Sequence, residues 1–278
     1  MKNIFLLILL LTVKGFTQPK NEINLPKGGK DIEIKSTKSL YSLYLTKNQE
    51  VFNDDERLEY FQDVNYTFLS QFDKNISMGI PLVLIYADVK TPFKFVSKVK
   101  SYIPNHRWVF YMTENIEGLK ATAFRNYGSA KYLDLEEILT AEEEENLLAE
   151  EFPFAPPMPP PNWWFVDFEK KLFSGNKAAI QNALNEYSHS VLTVSQNKAL
   201  KHDNIILNDE SLKNFIQANQ VLFLNFDDGI FYEDYIDAVQ KIKNHQIALE
   251  KNEQDKAYII EVSLNLKSQL EEMDIELN

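Results

Sequence analysis

The sequence predicts an α+β fold built as two small sheet-plus-helix domains in tandem, joined by an acidic helix and a proline-rich linker. Three observations carry that expectation. Short apolar runs of strand length alternate with segments of helical periodicity. A run of six prolines in nine residues, Pro153 to Pro161, divides the chain. The order of elements before that run is repeated after it. The expected boundaries are 1–17 an export signal, 18–31 a flexible lead-in, 32–117 the first domain and 118–162 the acidic helix and linker; 163–187 is then a helical lead-in, 188–267 the second domain and 268–278 a tail. A length of 278 residues agrees with two domains at ~150 residues each.

Each element has its own reason. Lys2 precedes an apolar run of ten residues, Ile4 to Val13, which Lys14 ends; Gly15 and Thr17 then stand before Gln18. A helix needs about 20 apolar residues to cross a bilayer, so this run reads as a cleavable export signal. Ser39 to Thr46 is rich in Leu and Tyr and reads as a strand. Asn53-Asp54-Asp55-Glu56 reads as a helix start, with Leu58, Phe61, Val64, Phe68 and Leu69 following at helical spacing. Leu82 to Ala87 is continuously apolar, as in a strand covered on both faces. Thr91 and Pro92 open the next helix as cap and first position, and Pro104 closes it. Trp108 to Met112 reads as a strand, and Leu135 to Glu151 as an acidic helix. The proline run must be extended. Trp163 to Tyr187 reads as helical, with a break at Ser174-Gly175.

Self-similarity is the most informative feature. Val83 to Asp88 is answered by Leu222 to Asp227, 139 residues on, which places Phe93 on Tyr232, Val96 on Tyr235 and Val99 on Ala238. Leu43 to Thr46 aligns with Leu192 to Ser195 at an offset of 149, and Val109 to Thr113 with Ile259 to Ser263 at 150. Each copy reads strand, helix, strand, acidic turn, helix, strand. The differing offsets place insertions between elements, where loops tolerate them.

The segment Val83 to Glu114 carries an apolar strand ending in Ala87-Asp88, a short turn, Thr91-Pro92-Phe93 at a helix start, Val96 and Val99 on the helix, and a strand ending in Thr113-Glu114. In this it resembles the periplasmic domain of the ExbD/TolR family of biopolymer transport proteins. The second copy keeps Asp227, Asp228, Gly229 and Tyr232, with Phe231 in place of the proline. The resemblance implies two degenerate copies of that domain and marks Asp88, Pro92, Phe93, Asp227, Asp228 and Tyr232 as family-motif positions. It also implies a non-enzymatic binding or scaffold role in a cell-envelope transport or energy-transduction system. Family members carry an N-terminal transmembrane helix with an aspartate; here an export signal stands in its place.

Composition narrows the chemistry. A net charge of -12 argues against nucleic acid as a partner. Zero cysteines exclude disulfides, thiol nucleophiles and zinc-thiolate sites. Eight glycines give no dinucleotide-binding fingerprint and no phosphate loop. The histidines His106, His189, His202 and His245 form no metalloprotease pair and read as surface residues. Asp227-Asp228 before Glu233-Asp234 is the best place for a hard cation or acid-base pair, and is the basis of a rival reading as a metal-dependent hydrolase. The same residues also make a turn and a helix N-terminus. Trp163-Trp164 could stack on glycan rings, the basis of a peptidoglycan-binding alternative. The expected partners are an envelope protein added as a strand, a second copy in a dimer, or peptidoglycan, and no catalytic residue, cofactor or metal is expected.

Cleavage near Thr17 removes Lys2 and Lys14 together with the apolar run. Intact-mass analysis of the protein from the cell envelope should give a chain beginning at Gln18 that a carbonate wash releases; an uncleaved chain kept in the membrane pellet would refute the export reading.

Overall fold

The computed structural model describes residues 23–28, 30–31, 40–72, 82–103, 107–113, 120–126, 164–249 and 257–277. The segments expected to be an export signal and an acidic helix, the proline run, His106 and Trp163 lie outside the described residues. In the first half the strands are β1 (Lys30–Asp31), β2 (Leu40–Leu45), β3 (Val51–Asn53), β4 (Glu56–Leu58), β5 (Leu82–Ala87), β6 (Arg107–Thr113) and β7 (Lys120–Asn126), with helices α1 (Phe61–Phe72) and α2 (Phe93–Lys100). The second half opens with α3 (Trp164–Leu172) and α4 (Lys177–Glu186). It continues with β8 (His189–Ser195), β9 (Ala199–His202), β10 (Ile205–Ile206), α5 (Asp209–Ala218), β11 (Val221–Phe226), α6 (Tyr232–Ala248), β12 (Tyr258–Glu261) and α7 (Leu264–Glu272). The class is mixed α+β.

The strands form a seven-stranded sheet, in order β1-β7-β6-β5-β2-β3-β4, and a five-stranded sheet, in order β10-β9-β8-β11-β12. Five neighbours in each sheet match. β2, β5 and β6 run parallel, as do β8, β11 and β12, and each first strand carries an antiparallel hairpin on its other side. The register matches as well. Leu45 lies opposite Ala87 and Val194 opposite Phe226, while Val83 faces Val109 and Leu222 faces Ile259. Leu45 and Val194, Ala87 and Phe226, and Val109 and Ile259 thus hold equivalent places, at the offsets of 149, 139 and 150 read from the sequence.

The hairpins differ from the expectation. Asn53 to Glu56 is no helix start: Asn53 pairs with Glu56 across a turn in which Asp54 has φ 52°. Asp tolerates that left-handed backbone because its short side chain bonds locally. The helix begins later, at Phe61, where the Asp63 carboxylate accepts from the Tyr60 N–H (2.9 Å). The second copy also turns over two residues, there with both Asp203 (φ 48°) and Asn204 (φ 64°) left-handed. β7 and α7 were not legible, and α7 crosses the expected boundary at 267; Ile275 and Leu277 beyond it pack on the second sheet, so 268–277 is no loose tail.

One apolar core joins the halves. The inner face of the first sheet (Tyr41, Leu43, Leu45, Val83, Ile85, Val109), helices α1 and α2, the inner face of the second sheet (Leu192, Val194, Leu222, Leu224) and helices α5 and α6 all belong to it. Separate cores for the two copies were expected; the structure merges them, because the faces of α2 and α6 that a lone domain would leave wet cover each other. The second sheet is covered on its other face by α3, α4 and α7 through Phe168, Leu172, Ile180, Leu266 and Leu270. A protease site engineered within 127–163 should therefore yield two fragments that elute as one particle in native buffer. Elution as two separate folded particles would show that the core is not shared.

Candidate functional site

The family-motif positions gather around the two turns that follow the central strands. In the first copy Asp88 is 2% exposed. Its N–H bonds the Leu45 carbonyl (3.0 Å), fixing it to the end of β2. Its Oδ1 accepts from the Lys90 N–H (2.9 Å), and its Oδ2 accepts from the Asn24 N–H (2.9 Å) and Nδ2 (3.3 Å). The aspartate is therefore a turn anchor that also holds the lead-in. The expected flexible lead-in of 18–31 is bonded over its described part. Thr91 does not cap α2 as expected; its hydroxyl donates to the Leu45 carbonyl (3.3 Å), and Pro92 takes the cap position.

In the second copy Asp227 bonds Val194 in the same way (2.8 Å). The four carboxylates considered for a cation are each answered separately. Asp227 pairs with Lys201 (3.1 Å), Asp228 with Lys94 (3.0 Å), and Glu233 with Lys198 (3.5 Å), while Asp234 accepts from the Phe231 N–H (3.0 Å) as a helix cap. Among the described residues no group of three or more metal-ligating side chains converges. The arrangement is that of a turn and a helix N-terminus, where negative charge is favoured.

Pro92 and Phe231 face each other in an antiparallel bridge. The Phe93 N–H donates to the Ile230 carbonyl (2.9 Å), and the Tyr232 N–H to the Thr91 carbonyl (2.8 Å). Phe93 and Tyr232 are equivalent residues of the two copies, so the bonds are related by a local two-fold axis. The side chains break that symmetry. Phe93 stacks on Tyr235 at 3.7 Å between centroids, and the Tyr232 hydroxyl reaches across to the carbonyls of Met112 (3.2 Å) and Ile85 (3.4 Å).

Behind this bridge lies a polar cluster that the sequence did not reveal. Glu261, at the end of β12, forms an ion pair with Lys100 of α2, and both side chains are 2% exposed. The other carboxylate oxygen of Glu261 accepts from the hydroxyls of Tyr111 and Tyr235, each at 2.8 Å. Burial first, and the Glu261 charge second, push both tyrosines well above their ordinary pKa, so they stay donors. The signal was present but ambiguous: a lysine on an otherwise apolar helix face and a glutamate ending an apolar strand. Only the packing of the copies brings them together.

The remaining described candidates are each engaged by neighbours within the chain. His189 bonds the Tyr187 carbonyl (3.0 Å) and His202 the Val191 carbonyl (3.1 Å) through their Nδ1 atoms. An open depression beside α5 and α6 holds Asp209, Asp237, Lys241 and His245. There Lys241 pairs with Asp209 (2.6 Å) and Lys198 with Asp237. Trp164 is half-buried and stacks on Tyr187 at 5.2 Å, so its ring serves packing. Among the described residues no helix is long and apolar enough to cross a membrane. The fold and these turns define a chain of two like α+β copies joined by their helix faces. No family model, curated protein or solved structure matches the chain.

A buried ion pair with one member removed leaves an unanswered charge, at about 3–5 kcal/mol, whereas replacing both members with apolar groups is often neutral. Lys100→Met and Glu261→Met should each lower unfolding stability by that amount. The double variant should recover most of it, and additive losses in denaturant titration would contradict the pairing.

Proposed function

We propose that the chain is a non-enzymatic, exported binding or scaffold protein of a cell-envelope biopolymer transport or energy-transduction system, similar to the periplasmic part of ExbD/TolR proteins. The observation that carries this reading is the repeated unit itself. Each copy places a hairpin beside three parallel strands with the Asp-turn and helix of the family pattern, and the two copies pack helix face to helix face. The polar groups around both turns are spent on one another, which favours a role in gripping over one in chemistry.

The surface offered to a partner is made of backbone. Among the described residues the edge strands β4 and β10 each have a neighbouring strand on one side only, and an extended partner segment can add there as a further strand. In the first copy that edge carries Glu56 and Arg57; in the second it carries Ile205 and Ile206, 67% and 65% exposed. The second edge is thus the more adhesive of the two. The packing of the copies also occupies the surface a dimer of single copies would use, so a protein partner is favoured over self-association.

The mature chain, expressed from Gln18, should retain an envelope transport protein from detergent-solubilised envelope extract. Ile205→Lys with Ile206→Lys should weaken that retention about tenfold or more, since the edge would lose its apolar contact and gain charge. Retention unaffected by those changes would place the partner elsewhere. Calcium-dependent thermal stabilisation abolished by Asp227→Ala would support the hydrolase instead.

A further inference from the structure

Residues 23–28 run as a strap across the seam between the copies. The Asn24 N–H and side-chain amide donate to Asp88 Oδ2, and the Asn24 carbonyl accepts from the Val89 N–H (2.8 Å). Further along, the Gly28 carbonyl accepts from Thr113 Oγ1 (2.6 Å) and the Lys27 carbonyl from Gln240 Nε2 (3.2 Å). Asp88, Val89 and Thr113 belong to the first copy, while Gln240 lies on α6 of the second. Gly28 has φ 100°, and a β-carbon there would run into the Gln240 side chain. Of the strap's residues only Pro26 is buried; Ile23 and Leu25 are half-buried, and Asn24, Lys27 and Gly28 are exposed.

The strap is thus held mainly by polar contacts to backbone atoms, the way a protein holds an extended peptide. The aspartate that holds Asn24 is also fixed by bonds outside the strap. Asp88 is set by the Lys90 N–H and by its own N–H to Leu45. The second copy gives the internal comparison: Asp227 makes the equivalent bond to Val194, and the helix follows. Among the described residues the partners of the Asp227 and Asp228 side chains are Lys201 and Lys94, so the same strand-turn-helix unit is seen there with lysines where the first copy holds the strap.

We propose that the seam groove formed by Asp88, Val89, Thr113 and Gln240 is a binding site for an extended peptide, and that residues 23–28 are its resident occupant. A partner segment of the same chemistry displaces them: apolar, Asn, apolar, Pro, one exposed residue at the place of Lys27, then a glycine at the close approach to Gln240. The Asn supplies two donors to one carboxylate oxygen, and glycine alone fits the left-handed backbone against α6 without strain. This deepens the binding role and rests on it, with the strap as the element that keeps the groove closed until a competitor arrives.

The test uses the full mature chain with Asn24→Ala and Gly28→Ala, which weaken the strap at both ends, and a fluorescent peptide of residues 22–30 as the probe. Hydrogen exchange at the Val89 amide should accelerate in this variant. Its affinity for the peptide by anisotropy should exceed that of the unsubstituted chain by about tenfold or more, because the groove no longer holds its own occupant. Adding Asp88→Ala should abolish that gain. If that variant does not fold, Gln240→Ala should reduce the gain several-fold. Unchanged Val89 exchange, faster exchange without peptide binding, or binding indifferent to both Asp88 and Gln240 would each overturn the proposal. Retention of an envelope protein through the β10 edge is read separately, so failure here would leave the wider binding role standing.

Discussion

A carboxylate withdrawn from water must be answered by donors, and Glu261 is answered by Lys100 of α2, Tyr111 of β6 and Tyr235 of α6. Two of those donors come from the other copy. The arrangement therefore depends on the relative placement of the halves, and so do the rings packed about it. Tyr235 stacks on Phe93 while its hydroxyl donates to Glu261, and Tyr111 meets the rings of Tyr235 (6.0 Å) and Tyr232 (5.9 Å) edge-on. In a low-dielectric interior a satisfied cluster of this kind discriminates against sliding or rotated packings, because each of them strands a charge. The apolar contacts around it supply most of the burial, and the cluster selects the geometry.

The turns show how the same local sequence serves two environments. Asp88 and Asp227 both end a central strand and both bond back to the first strand of their copy. One lies beneath the strap, 2% exposed; the other is open to solvent and paired with Lys201. The bond back to the first strand is common to both, while the turns themselves differ: Gly229 has φ 88°, and at the equivalent place Lys90 donates its N–H to Asp88 Oδ1 (2.9 Å).

The parts legible in the sequence were those governed by contacts close in the chain. Leu82 to Ala87 is an unbroken apolar run and Val221 to Phe226 is apolar but for Asn225, and both are central strands. Gly175, with φ 69°, separates α3 from α4 where the helical pattern broke. The hairpins escaped because strands of two to four residues have too few positions for alternation to show, and Asn-Asp-Asp-Glu suits a turn as well as a cap. The shared core escaped for another reason. Periodicity tells that Phe93, Val96 and Val99 want cover and is silent on what provides it. Nothing near Lys100 in the chain marks it for burial, since its partner stands 161 residues further on.

The local two-fold axis at Pro92 and Phe231 has a consequence for the history and behaviour of the chain. In a dimer of identical copies each residue near the axis meets its own twin's surroundings, so a glutamate at the Glu261 position would bring a second glutamate with it. Here the equivalent of Glu261 is Tyr111, and the pair is hydrogen-bonded. Such a pairing of unlike residues becomes available only when one polypeptide carries both copies and each can mutate alone. Tethering also replaces a bimolecular encounter by an intramolecular one, at an effective concentration set by the linker. The assembled seam is therefore insensitive to dilution of the protein.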